Sequence, residues 1–146
     1  MKAQILILSL CLLGIFSYDP GSAVGYADAY CDKRNPDFND YTGQGGDCAN
    51  FVSQCLLAGG QDLSGCSVDD RGCVINVGAL EACLLSKGWH SAESDSVPEG
   101  FGAGGVITIN NSGHAMIANS PSTFDAHTND RCSCGIPDGP KKFFWP

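Results

Sequence analysis

Three histidines, His90, His114 and His127, and nine cysteines hold most of the nucleophilic and proton-transfer chemistry open to this 146-residue chain. One cysteine stands apart by position. Cys48 follows the glycine-rich run Gly43-Gln44-Gly45-Gly46-Asp47 and opens a segment whose apolar residues, Phe51, Val52, Cys55 and Leu56, recur at helical spacing. A thiol on the first turn of a helix gains thiolate character from the helix N-terminus. Unpaired first-turn N–H groups can face a developing oxyanion, and the preceding glycines let a substrate backbone come close. A histidine on a strand packed against that helix would complete a Cys–His pair, with a third polar group to orient the imidazole. Spacing alone leaves a second reading open, in which Cys48 is half of a disulfide and the histidines are ordinary strand residues.

The elements that must position these groups follow from periodicity. Asp47 is placed to cap a helix over Cys48–Ala58, which Gly59-Gly60 ends. A short first helix is expected over Ala23–Cys31, broken by Asn35-Pro36, with a polar loop from Pro36 to Gly46. Gln61–Asn76 reads as a surface loop that Cys66 and Cys73 could staple on itself, and Val77–Ser86 as a third helix closed by Lys87-Gly88. Ser91–Gly104 reads as an acidic connection. The period then changes. Val106–Ile109 and His114–Ala118 form a strand pair about the turn Asn110-Asn111-Ser112-Gly113, and Thr123–His127 a third strand. Helices first and strands later give an α+β class with segregated layers, and place His114 and His127 on neighbouring strands.

Composition bounds the function. Hydrophobic residues at 43% and charged residues at 16% indicate one folded domain rather than a disordered chain. A net charge of −8 argues against nucleic acid and against an anionic membrane surface as partners. Met1-Lys2 followed by the apolar run Ile5–Phe16 reads as a secretory signal over residues 1–17, too short to span a bilayer, with cleavage near Ser17 or Ala23 and a domain over 18–146. The expected product is secreted, or lies in the lumen of a digestive compartment, without a membrane anchor. Cys11 leaves with the signal, and the even count that remains allows four disulfides. Cys132-Ser133-Cys134 lacks the second paired motif of a zinc site and reads as disulfide-forming, so no metal is expected. Asn110-Asn111-Ser112 is a glycosylation sequon.

The stretch Gly46-Asp47-Cys48-Ala49-Asn50-Phe51-Val52-Ser53-Gln54, with Leu56 and Ala58-Gly59-Gly60, resembles the signature of the amidase-domain family, a group related to papain-like NlpC-type cell-wall hydrolases. Tyr18-Asp19, Ala23-Val24, Tyr26-Ala27, Tyr30 and Asn35-Pro36 resemble the family's opening. Gly113-His114-Ala115-Met116-Ile117 resembles its histidine strand, and Ala126-His127-Thr128-Asn129-Asp130 its late H-T-x-D element. The resemblance implies a papain-like fold with Cys48 as nucleophile, His114 as general base and then acid, and His127 as the orienting third residue. Asn129 and Asp125 share the face of His127 if the strand period continues, so either could substitute. Asp47 would cap the helix and shape its loop, Asn50 and Gln54 would be structural, and Gln44 is a candidate oxyanion donor. The chain departs from the family pattern at Ala103-Gly104-Gly105, where an acidic residue is usual, and in its cysteine load. If Cys48 is a free thiol, one more cysteine must be unpaired, and Cys55 on the apolar stripe is the candidate.

The resulting expectation is a monomeric cysteine amidase or peptidase that needs no cofactor and acts on peptidoglycan or a peptide through a thioester. Two alternatives are a non-catalytic, disulfide-stapled binding protein on the same scaffold and an acyl transferase.

Overall fold

The computed structural model describes residues 17–109, 111 and 113–146. The expected signal segment up to Phe16, and Asn110 and Ser112 of the sequon, lie outside the described residues. Helix α1 spans Pro20–Tyr30, α2 Cys48–Ala58 and α3 Val77–Ser86. The strands are β1 (His90–Ser94), β2 (Val106–Ile109), β3 (His114–Ala118), β4 (Thr123–Ala126), β5 (Arg131–Gly135) and β6 (Lys141–Trp145). Asp19 starts α1 by accepting the Gly21 N–H at 3.0 Å, one residue before a proline at the first helical position. Asn76 does the same for α3 through the Ala79 N–H at 3.0 Å.

The strands form one antiparallel sheet in the order β1-β6-β2-β3-β4-β5. The class is α+β, as expected. All three helices lie against one face. There Ala23, Phe51, Val52, Leu56, Leu80 and Leu84 pack with Val106, Ala115, Ile117 and Phe144. The alternate residues Ile107, Met116, Ala118, Phe124, Ala126 and Phe143 build a second cluster with Phe101 on the other face. Helix α2 is the central support: every residue from Cys48 to Leu56 is buried. Full burial of side chains such as Phe51 or Leu56 contributes about 1.5–3 kcal/mol each.

Three strands depart from the sequence expectation. The Ser91–Gly104 connection begins as a strand, with His90 opposite Trp145 and Ala92 opposite Phe143. β5 and β6 also had no strand reading. β1 and β5 show no apolar alternation because each is a mostly exposed edge strand, so pairing partners and not side-chain pattern create them. β4 stops at Ala126, one residue short, because Thr128 takes φ 81° and turns the chain.

Cysteine pairing is also corrected. Cys31 at the end of α1 bonds Cys132 on β5, and Cys66 bonds Cys83 on α3 instead of stapling its own loop to Cys73. Cys48, Cys55, Cys73 and Cys134 are free, so the described residues form two bridges rather than four. Cys55 is buried and unpaired as anticipated.

The glycines that replace the usual acidic residue have a steric cause. A Cβ at Gly104, which adopts φ 79°, would stand 2.7 Å from the Pro20 Cβ, and one at Gly105 would stand 2.4 Å from the Phe101 ring. Their absence lets Tyr18 donate its hydroxyl to the Gly104 carbonyl at 2.8 Å and dock the start of α1 beside β2. Among the described residues, no helix is long and apolar enough to cross a membrane.

Candidate active site

Cys48 occupies the first position of α2 with 8% of its surface exposed, and its thiol is unpaired. The residue before it, Asp47, is fully buried. Asp47 does not cap α2 with its side chain, contrary to expectation. Its carboxylate turns back into the loop. Oδ1 accepts the Tyr41 N–H at 3.0 Å and Asn50 Nδ2 at 2.7 Å, and Oδ2 accepts His127 Nδ1 at 2.7 Å. Arg34 Nε lies 3.5 Å from the same Oδ2 and its guanidinium also pairs with Asp130 at 2.9 Å.

His127 is wholly buried and stacked on Phe51, with ring centroids 3.8 Å apart. Its Nε2 meets the Tyr30 carbonyl at 2.6 Å. Both nitrogens therefore face oxygen acceptors. The result is a buried Asp47–His127 contact next to Cys48 in the chain, joining α1, α2 and the end of β4. Thr128 completes the junction by accepting the Asp47 N–H through Oγ1 at 2.8 Å. Gly46, at φ 118°, permits this approach: a Cβ there would lie 3.1 Å from that oxygen.

The motif residues now have individual physical roles. Asn50 Nδ2 bonds the Asn39 carbonyl at 2.7 Å as well as Asp47. Phe51 is the platform for His127. Ser53 accepts the Val74 N–H and donates to the Val74 carbonyl at 2.9 Å, and Gln54 accepts the Tyr26 hydroxyl at 2.7 Å. These contacts fix where α2 begins, hence where the Cys48 thiol and the first-turn N–H groups sit.

His114 has a different environment. It opens β3 opposite Ile109, and because Ala115 and Ile117 face the helices it stands on the side of Met116. Burial and then the Arg131 guanidinium push its imidazole below the ordinary histidine value, so the ring is mostly neutral near pH 7. Among the described residues it makes no hydrogen bond. β3 runs antiparallel to β4, so its first residue, His114, lies at the sheet end where β4 finishes, just before His127. The structure thus brings His127 onto Asp47, the residue before Cys48, and holds His114 at the same sheet end on the opposite face.

The remaining candidates separate. Gln44 is exposed in the loop before α2 and its side chain makes no hydrogen bond among the described residues. Asn129 is exposed in a turn; it does not follow His127 along a strand face, because the positive φ of Thr128 ends the alternation. Asp125 does share the face of His127 and is buried, but it accepts from Ser133 and Asn119 instead of an imidazole. Sequence reasoning missed Arg34, the Tyr30 carbonyl and the part played by Thr128; the H-T pair itself was the available signal for Thr128. Among the described residues, the one three-member group with metal-ligand spacing is Cys31, Asp32 and Cys132, whose sulfurs are bonded to each other.

A family model described as "Putative amidase domain" matches residues 17–99, from the start of α1 through β1, so His114 and His127 lie beyond it. A curated relative, the uncharacterized protein YhbB of Bacillus subtilis strain 168, is 44% identical over 50 residues. That match covers 34% of this chain and 15% of the relative's length. No solved structure matches. With more than half its length aligned, including Cys48 on the first turn of α2, the chain belongs to the amidase-domain family and carries a hydrolase-type domain.

Proposed function

We propose that the protein is a secreted cysteine amidase of papain-like, NlpC-related type that cleaves an amide bond in bacterial peptidoglycan. The observation that carries this reading is the free Cys48 thiol at the N-terminus of α2. In the reaction, Cys48 Sγ attacks the amide carbonyl carbon while His114 accepts the thiol proton. The first-turn N–H groups of α2 face the developing oxyanion. The C–N bond then breaks, the amine leaves with the proton from His114, and a thioester remains. Water, deprotonated by His114, hydrolyses the thioester to a carboxylic acid and restores the thiol. The role of His114 rests on the histidine-strand resemblance; strand alternation sets its side chain on the face away from α2, so this role requires the start of β3 to turn toward Cys48. His127 acts through Asp47, by setting the start of α2.

Two disulfides and the apolar N-terminal run support secretion into an oxidising compartment. A net charge of −8 gives no long-range attraction to an anionic wall, so an acidic lumen, where carboxylates are protonated, suits this activity. The alternative of a stapled binding protein would have Cys48 in a disulfide, which its free thiol disfavours. Incubation of purified protein with peptidoglycan should release new amine termini, and Cys48→Ala should release none. Equal release by that variant would refute the mechanism.

A further inference from the structure

Asp28 on α1 and Asp125 on β4 meet across the seam between those elements. Asp125 is wholly buried. Its Oδ1 accepts the Ser133 N–H at 2.6 Å and Asn119 Nδ2 at 3.0 Å. Its Oδ2, equally enclosed, has no donor. The same Asn119 nitrogen reaches Asp28 Oδ1 at 3.3 Å, so one amide bridges the two carboxylates. Two carboxylates gathered on one amide repel if both are ionised, whereas a proton on Asp125 removes that repulsion and the cost of leaving a bare enclosed oxygen charged. A cation fits less well, because the Asn119 amide and the Ser133 N–H aim donors at these oxygens.

We propose that Asp28 and Asp125 form a pH-sensitive latch between α1 and β4, closed in acid by a proton on Asp125 and loosened as the proton leaves. The other groups facing the pair are Asn119, Ser133 of β5 and the Cys55 thiol of α2. Burial, with Asp125 adding to it, pushes Cys55 well above the ordinary thiol value, so it stays neutral and leaves the repulsion to the carboxylates. Burial and the facing Asp28 carboxylate push Asp125 up to about 6 from 3.8. In that interval the folded chain keeps a proton that the unfolded chain has released, so stability declines as pH rises and the loss is complete above it. A displacement of about two pH units corresponds to roughly a hundredfold in the folding equilibrium. The latch shares its seam with the candidate site: two residues beyond Asp28 and Asp125 lie Tyr30 and His127, joined at 2.6 Å. It does not depend on the proposed hydrolase reading.

Side-chain carboxyl NMR titration, paired with urea unfolding across the same pH range, tests this in the wild type, Asp28→Asn and Asp125→Asn. One wild-type carboxyl should titrate near 6. Asp28→Asn, an exposed substitution, should lower it toward the ordinary range, and Asp125→Asn should abolish it. Both variants should lose the acid-side gain in stability seen in the wild type, by a factor of up to about a hundred in the equilibrium constant. Ordinary titration of every wild-type carboxyl, or an unchanged resonance and unfolding profile in Asp28→Asn, would overturn the latch.

Discussion

His114 and His127 sit on adjacent strands, yet the sheet puts them to opposite uses. His127 faces the helices, is fully buried, and has both nitrogens held by Asp47 and Tyr30. His114 faces away, is partly exposed, and has no hydrogen bond among the described residues. A histidine whose two nitrogens are occupied by a carboxylate and a carbonyl is suited to holding a structure in place. One that is neutral and unengaged is suited to moving a proton. The difference teaches that strand alternation alone can give two histidines on neighbouring strands opposite environments.

The sharpest probe of this contrast is the proposed nucleophile. Cys48→Ala should remove amide hydrolysis altogether while leaving the thermal unfolding temperature close to wild type, read by amine release beside calorimetry. His114→Ala should cost about 10²–10⁴ in kcat, the usual worth of a general base, with little change in stability. His127→Ala should behave in the opposite sense. It leaves the Asp47 carboxylate buried without its main partner, a loss of about 3–5 kcal/mol that urea unfolding would register. A folded, fully stable His127→Ala protein lacking only activity would break the comparison and restore His127 to the reacting centre.

Smaller effects sharpen it further. Gly104→Ala forces a side chain onto Pro20 from a left-handed backbone and should cost about 1–3 kcal/mol in the same assay. Removing the Arg131 charge should be mildest. Since Arg131 and burial both hold the His114 imidazole below its ordinary value, activity should persist below pH 6.5 and fall as the ring protonates. Arg131→Gln should move that acid limb upward. An unmoved limb in the pH–rate profile would place the titrating base elsewhere.

The helices were legible because their signals are local. Cys48–Ala58 and Val77–Ser86 have bounds that agree with the apolar stripe and the glycine stops. β2, β3 and most of β4 were legible from β-branched and alternating residues for the same reason. β1 and β5 were not, because exposed edge strands take their conformation from the neighbour they pair with. In the site, the thiol, the motif and both histidines could be found from residue type and spacing. Their mutual geometry could not.

Residue chemistry by itself determined that a cysteine opens a buried helix behind a glycine loop and that the layers segregate into α+β. Only tertiary structure decided which cysteines bond, since Cys31 and Cys132 are 101 positions apart and meet through the packing of α1 on the sheet edge. Only tertiary structure sorted the histidines to opposite faces, and it turned Asp47 from a helix cap into the partner of a buried imidazole. Local preferences set which elements form. Which side chains then meet depends on strand register and helix docking, which are settled by contacts between residues far apart in the chain.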